Sequence, residues 1–249
     1  MAPPCASSSA PWKPRGEHVT KRYTLPMRLM RARQALQTDE VLTAPQLQRH
    51  YALTEEDIAE HFPCRPTTFR PLGNSSKLET TTFCMLDHQA LLWAPSWKLS
   101  HQASTAELRH LLDLPVTAWR LEGGERDTQR PDALATLQGY QLAIEHDAGY
   151  APARTREKVR AFEAYDYTVW GTLSRARKSH LEARYSDKIL FVHTNITSPE
   201  PPATSLDLTQ AILAQLGSRP VAGAPASAAR PGTTPPAPPA GSSGRSRSS

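Results

Sequence analysis

Residues 130–149 (RPDALATLQGYQLAIEHDAG) contain two β-type runs that meet at Gln138-Gly139. A glycine in the second position of a two-residue connection favours the tight turn of a β-hairpin, and this is the strongest hairpin pattern in the chain. Side chains alternate along a strand, so Glu145 and Asp147 share one face of the second run. The sequence therefore predicts a hairpin that carries two neighbouring carboxylates.

A third acid, Asp132, opens the first run and lies opposite the end of the second once the hairpin folds. Crowded carboxylates need a counterion, and a hard divalent cation such as Mg²⁺ is the natural one. In a nuclease such a metal lowers the pKa of a bound water and stabilises charge on the scissile phosphate. We predict Asp132 and Glu145 as metal ligands, with Asp147 completing or orienting the site. The alternative is an exposed strand face whose acids are simply solvated.

Helical patterns flank the hairpin on both sides. Residues 100–114 place their apolar side chains on one stripe, and residues 153–167 form a second helix with Lys158 on its flank. A basic helical stretch then leads to residues 188–195, a short apolar run typical of a buried strand. Strand, helix and strand in this order predict a right-handed crossover and parallel pairing.

Residues 26–99 have the pattern of a winged-helix-like domain. A proline suited to a first helical turn begins a basic amphipathic helix over residues 26–37. Thr43 and Thr54 can each cap a short helix, and the two helices have the proportions of a helix-turn-helix. Two β-rich runs around residues 73–76 predict the hairpin that follows.

The basic residues of this region are its candidate contacts with the DNA backbone. They are Arg28, Arg31, Arg33, Arg65, Arg70 and Lys77. The third helix would normally read bases in such a domain, but here it is acidic. Its acids are Glu55, Glu56, Asp57 and Glu60. A dimerisation or docking module is therefore the alternative role.

Positive charge is concentrated at the two ends of a chain whose net charge is +5. Residues 1–38 hold seven Lys and Arg against one Glu, and residues 218–249 hold four Arg and no acid. We expect residues 1–25 to be a flexible basic arm that attracts phosphate. Residues 218–249 are mainly Pro, Ala, Gly, Ser, Thr and Arg, and we expect a disordered tail because they cannot bury enough apolar surface. Alternatively, the tail arginines serve only solubility.

Other residue types narrow the class of protein. No apolar run approaches the roughly 20 residues that span a membrane, so we expect a soluble, cytoplasmic protein without a membrane partner. Cys5, Cys64 and Cys84 are an odd number without C-x-x-C spacing, which predicts ordinary reduced thiols. We expect four tryptophans to serve packing, namely Trp93, Trp97, Trp119 and Trp170.

The acidic hairpin and its helices resemble the PD-(D/E)-x-K fold of restriction-endonuclease-like nucleases. Pro131-Asp132 matches the opening motif, and Glu145 matches the next metal ligand. Those enzymes usually place a lysine two residues after that acid, where this chain has Asp147. In variants of the fold a neighbouring helix supplies the lysine, and Lys158 would do so here. The resemblance therefore implies Asp132, Glu145, Asp147 and Lys158 as catalytic residues.

The order of all these segments looks most like the replication-relaxation protein family of plasmids and related mobile elements. The likeness is best over residues 100–194, is thinner over residues 26–99 and does not cover the ends. The family-like residues include His101, Glu107, Glu122, Asp132, Glu145, Asp147, Lys158 and Tyr165.

The predicted fold class is α+β. We expect a winged-helix-like domain at residues 26–99, then a restriction-endonuclease-like α/β core at residues 100–217, with the arm and the disordered C-terminal tail outside them.

The family resemblance implies a DNA-directed role in plasmid or phage replication or in DNA relaxation. One hypothesis is a Mg²⁺-dependent DNA nickase or nuclease. Its partners would be DNA, a second copy of the chain in a homodimer, and replication or mobilisation proteins. The alternative is a non-catalytic DNA-binding regulator with an inactive nuclease-like fold, and a protein-interaction adaptor is a third option.

Overall fold

The computed structural model describes residues 23–72, 76–122, 130–185, 189–200 and 208–217. These residues form an α+β structure with eight α-helices and two sheets, and they lie within one compact unit, Met1–Ser218. Most of the predicted basic arm and the whole predicted tail fall outside the described residues. Within the described ranges, no helix is both long and apolar enough to cross a membrane.

The N-terminal part combines three helices with a three-stranded sheet. Its elements are α1 (Leu25–Asp39), β1 (Leu42–Thr43), α2 (Ala44–Tyr51), α3 (Glu55–His61), β2 (Cys64–Phe69) and β3 (Glu79–Cys84). The strands are antiparallel in the order β1-β3-β2. Thr43 and Thr54 cap α2 and α3 as predicted, and each forms a capping box with the residue three positions later. The predicted helices and the predicted hairpin are confirmed, although residues 73–75 of its turn are outside the described residues.

One long helix packs against both sheets. After α4 (His88–Trp93), α5 spans Ser96–Leu111 and so begins four residues before residue 100, where the sequence pattern placed its start. Leu99 and Ala103 pack with the first sheet, whereas Leu108 and Leu112 belong to the core of the second sheet. The helix is therefore a structural part of both halves of the fold.

The tryptophan prediction is right for two residues and wrong for two. Trp119 and Trp170 are buried, but Trp93 is 82% exposed and Trp97 is 69% exposed. The short helix α4 turns Leu91 toward the core, so Trp93, two residues later, points to the opposite side of the helix.

The C-terminal part is built on a five-stranded sheet. Its elements are β4 (Trp119–Leu121), β5 (Ala133–Leu137), β6 (Tyr140–Asp147), α6 (Pro152–Ala161), β7 (Tyr167–Thr172), α7 (Arg175–Glu182), β8 (Ile189–His193) and α8 (Leu208–Gly217). Short 3₁₀ helices cover Val116–Ala118 and Phe162–Ala164. The strand order is β4-β5-β6-β7-β8, antiparallel from β4 to β6 and parallel from β6 to β8. The predicted strand of residues 188–195 does pair in parallel, but its partner is β7, a strand that the sequence pattern did not predict and that lies between β6 and β8.

The hairpin turn has the geometry that its sequence predicts. Gln138 has φ 49° and Gly139 has φ 90°, which are the two positive values of a type I′ turn. Leu137 pairs with Tyr140 across the turn, and the register then brings Ala133 opposite Ile144. One position further from the turn, Asp132 lies opposite Glu145, so these two acids are neighbours.

Helices cover both faces of the second sheet. On one face α5 lies so close to β7 that a Cβ at Gly171 would be 2.9 Å from the methyl carbons of Leu108. On the other face, Phe162 after α6 and Leu181 of α7 form a separate core cluster. Glu145 alternates with core residues of the α5 face, so its side chain points to the face covered by α6 and α7.

Candidate active site

Asp132 is fixed to the last strand of the hairpin by its backbone and by its side chain. Its N–H donates to the carbonyl of Ile144 at 2.9 Å. One carboxylate oxygen, Oδ2, accepts from the N–H of His146 at 2.7 Å. The sequence pattern predicted only that Asp132 lies at the start of the hairpin. The two hydrogen bonds hold its carboxylate beside Glu145.

Glu145 forms a buried ion pair with a lysine from the next helix. The Nζ atom of Lys158 on α6 lies 2.9 Å from both carboxylate oxygens of Glu145 and also donates to the carbonyl of Arg130 at 3.2 Å. The side chains are 0% and 3% exposed. The structure thus brings Lys158 to the acid for which the sequence lacked a lysine two residues later.

His101 of α5 completes the cluster from the opposite side of the sheet. Its Nε2 atom lies 3.0 Å from Oδ1 of Asp132, and its ring meets the ring of His146 edge-on at 5.8 Å. The side chains of His101 and Asp132 are 24% and 17% exposed, so this is the side from which a ligand can enter. The sequence showed a histidine on the preceding helix but not its partner.

Burial and neighbouring charge shift the protonation of the cluster. Burial lowers the pKa of His101, but the carboxylate of Asp132 outweighs it and the pKa is raised. For Asp132 burial acts in the opposite direction and raises the pKa. The charge of His101 and its hydrogen bond outweigh burial, so the pKa of Asp132 is lowered and the acid stays ionised. Burial and the charge of Asp132 raise the pKa of Glu145 to about 8 against the opposing effect of Lys158. The cluster holds two acids in different electrostatic environments.

Asp147 serves the loop that follows β6. Its Oδ1 atom accepts from the N–H groups of Gly149 and Tyr150 at 2.7 and 2.9 Å, and its Oδ2 atom lies 2.9 Å from Nε of Arg177. Gly149 has φ 91°, and a Cβ there would lie 2.9 Å from the carbonyl oxygen of Leu72. These contacts give Asp147 a structural role in the loop, while its predicted ligand or orienting role stays a prediction.

Two carboxylates remain as candidate metal ligands. Across the described ranges, no three His, Cys, Asp or Glu side chains are grouped as a metal site. Mg²⁺ is nevertheless commonly held by one or two carboxylates while it keeps several waters. The oxygen donors of Asp132 and Glu145 fit this chemistry. In the structure His101 contacts Asp132 and Lys158 contacts Glu145, so a metal would have to share or displace these side chains.

Three of the predicted DNA-contacting arginines donate hydrogen bonds to backbone carbonyls of this chain. Arg28 donates to the carbonyl of Ala52. Arg65 donates to the carbonyls of Leu92 and Ala94, and both of these hydrogen bonds are 2.6 Å long. Arg70 donates to the carbonyl of Ser76 at 2.5 Å. Their guanidinium groups hold turns and loops in place, which reduces what they can offer to phosphate.

Arg31, Arg33 and Lys77 are the other three predicted contacts. Arg31 stacks on the ring of Tyr23 at 4.7 Å, and Arg33 lies 5.8 Å from the ring of Phe62. Arg33 and Lys77 are exposed. The exposed acids Glu55 and Glu56 begin α3, as the sequence indicated.

A basic helix face beside the acidic cluster was missed at the sequence level. Helix α6 exposes Arg154, Arg156 and Arg160, while Lys158 between them points inward to Glu145. Arg154 lies 4.7 Å above the ring of Tyr150. A basic residue at every second position of residues 154–160 was the available sign in the sequence. Its interpretation requires knowing that Lys158 points inward, to Glu145.

Comparisons with protein-family models, with curated proteins and with solved structures found no significant match to this chain.

Proposed function

We propose that this chain is a DNA-directed protein with a PD-(D/E)-x-K nuclease-like core, and that it cleaves or nicks DNA with Mg²⁺. The observation that carries the proposal is the contact of Lys158 on α6 with Glu145 on β6, beside Asp132. It is supported by the order of elements, a helix, three antiparallel strands, a helix and a parallel strand.

The residues divide the work of phosphodiester hydrolysis between them. Asp132 and Glu145 would hold the metal, which when bound supplies a nucleophilic water and positive charge beside the phosphate. Lys158, released from part of its contact with Glu145, places its ammonium near the scissile phosphate oxygens. His101 keeps Asp132 ionised and oriented through the 3.0 Å contact.

DNA would approach along the exposed arginines of α6. Phosphate contacts from arginines position a duplex without reading its sequence. The first half of the chain has the element order of a winged helix, which supports a second contact with DNA. Its acidic helix α3 favours docking over insertion in a groove. The resemblance to the replication-relaxation family makes replication or relaxation of a mobile element the context that we propose.

A non-catalytic regulator is the second candidate. It is favoured because the three carboxylates already have partners within the protein. Lys158 and His101 already satisfy the oxygens of Glu145 and Asp132, and Asp147 is committed to the loop. Such a protein would bind DNA through the same basic face and would show no step that depends on metal.

Incubation of the full chain with supercoiled plasmid DNA in Mg²⁺, Mn²⁺ or EDTA tests the proposal. We expect metal-dependent nicking or linearisation, with at least about a 100-fold loss in Asp132→Asn and Glu145→Gln. Glu60→Gln, which removes a carboxylate from the exposed side of α3, is the matched control and is expected to keep its activity. DNA binding without cleavage in every metal would reject the nuclease and leave the regulator.

A further inference from the structure

Two cysteines face each other across β2 and β3. Cys64 begins β2, Cys84 ends β3, and the register pairs them directly. The N–H of Met85 donates to the carbonyl of Pro63 at 3.2 Å, so backbone hydrogen bonds flank this pair and do not join it. In such a non-hydrogen-bonded antiparallel pair the Cα atoms are about 4.5 Å apart, within the range that disulfides span.

The two sulfur atoms are already in contact. Sγ of Cys64 lies 2.8 Å from Sγ of Cys84, and both are free thiols in the structure. A disulfide bond is about 2.0 Å long, so bond formation needs a movement of about 0.8 Å. Side-chain rotation can supply this movement while the backbone pairing is kept.

We propose that Cys64 and Cys84 are a site of reversible oxidation, at which a peroxide produces an intramolecular disulfide between β2 and β3. The sequence alone does not reveal this pair, because the pairing of β2 with β3 is what brings the two cysteines together. The inference is independent of the proposed nuclease, since neither cysteine contacts the acidic cluster.

The two thiols have unequal environments, and this sets the order of the reaction. Cys64 is partly exposed, whereas Cys84 is 0% exposed and belongs to the core around α1, α2 and α3. The hydrogen bond with Cys84 lowers the pKa of Cys64, while the same bond and burial raise the pKa of Cys84. Cys64 is therefore the thiol that meets the oxidant first.

The reaction balances with hydrogen peroxide as the oxidant. The thiolate of Cys64 attacks one peroxide oxygen, the O–O bond breaks, and hydroxide leaves, which gives a sulfenic acid on Cys64. The sulfur of Cys84 then attacks the sulfur of Cys64, its proton leaves with the hydroxyl group as water, and the S–S bond forms. Two thiols and one peroxide give one disulfide and two waters.

The bond would join β2 to the central strand directly after α3. Cys84 is also the partner of Leu42 in β1, so its strand is held on both sides. A disulfide restricts the unfolded chain between the linked residues, which stabilises the fold. We expect the melting temperature to rise by roughly 5 °C or more on oxidation and to return when the bond is reduced.

The test treats the full chain with hydrogen peroxide, alkylates the remaining thiols after denaturation, and maps the tryptic peptides by mass. Cleavage at Lys77 separates the peptides of residues 50–77 and 78–98, each with one of the two cysteines. We expect these peptides to become linked with the loss of two hydrogens, and the alkylated thiols to fall from three to one. Cys64→Ser and Cys84→Ser should each abolish the link.

Cys5→Ser is the matched control, because it removes the third thiol and should leave the link intact. The proposal is overturned if the two peptides stay unlinked and alkylated after oxidation. It is also overturned if Cys64 is driven to sulfinic acid without a disulfide, or if the linked peptides come from two different chains. Because the peptide map is made on the wild-type chain, instability of a serine variant would leave the test decisive.

Discussion

The pair formed by Glu145 and Lys158 decides how the candidate site behaves at the scale of single residues. Both side chains are removed from solvent, and their charges are satisfied mainly by each other. Removal of one member of such a pair leaves a buried charge that water cannot reach. The site therefore has a stability role that can be separated from any catalytic role.

We predict that Lys158→Met lowers the free energy of unfolding by about 3 kcal/mol. The double variant Glu145→Gln with Lys158→Met should recover most of this loss, because no charge is then left buried. Urea denaturation well above pH 8, where Glu145 is ionised, measures both. Lys178→Met is the control, since Lys178 pairs with Glu182 near the surface and such pairs contribute about 1 kcal/mol or less. Equal losses in the two lysine variants would contradict the buried pair.

His110 provides a second residue-scale prediction, which concerns pH. Burial and repulsion from His50, on which it stacks at 4.3 Å, lower the pKa of His110 to about 4. Above pH 6.5 the histidine is neutral in both the folded and the unfolded chain. Between pH 6.5 and 4 only the unfolded chain takes up the proton, so stability falls by up to about 3 kcal/mol.

His110→Phe tests this, because it keeps an aromatic ring against His50 and removes the titration. We expect the stability of the variant to depend less on pH between 6.5 and 4, as measured by urea midpoints across that range. Parallel curves for the wild type and the variant would show that the histidine is not held neutral.

Helix α6 joins two functions at the scale of the secondary-structure element. Its inward residue, Lys158, reaches Glu145, and Arg156 and Arg160, one turn apart, lie on its outward side, whereas the exposed Arg154 lies on the flank near Lys158. The crossover between β6 and β7 puts this helix directly over the strand that carries Glu145. DNA held on the outer face would lie about one helix diameter, roughly 10 Å, from Glu145, and would reach the cluster at its open side beside Asp132.

We predict that replacing Arg154, Arg156 and Arg160 by alanine weakens DNA binding and makes it less dependent on salt. Each lost phosphate contact lowers the slope of log K against log salt by about 0.9. Titrations of a labelled duplex at several salt concentrations measure the slope. The charge-matched control replaces Arg230, Arg245 and Arg247, and an equal effect of that variant would contradict a specific role of α6.

Element types followed from local sequence, and side-chain partners did not. Thr43, Thr54 and Gln138-Gly139 specified a helix start or a turn within a few residues, and the structure has each of them. Arg28 and Arg65 were expected to face DNA because the sequence shows only that they are basic. Their carbonyl partners are 24 to 29 residues away, and only the folded chain brings them together.

At the scale of the whole molecule, buried ion pairs tie the two parts of the fold together through α5. Arg109 forms a double hydrogen bond with Asp39 of α1, and Glu107 pairs with Arg49 of α2 at 2.7 Å. A regular apolar stripe predicted this helix, yet its polar residues join the halves. Hydrophobic periodicity does not reveal which polar residues are buried.

The acidic hairpin shows the same division between what sequence can and cannot predict. Alternation and the turn placed Asp132 beside Glu145, because both depend on the register of one hairpin. The same alternation put Asp147 in the site. Its carboxylate instead binds Gly149, Tyr150 and Arg177, which are contacts of the following loop and helix.

The proposed function requires that Asp132 and Glu145 bind a divalent cation in competition with His101 and Lys158. Calorimetric titration of the full chain with Mn²⁺, in the absence of DNA, tests it most directly. We predict one site that is weakened at least about tenfold in Asp132→Asn and Glu145→Gln, and that is tightened in Lys158→Met because the competing cation is gone. Binding that is absent from the wild type, or unchanged in both acid variants, would contradict the account.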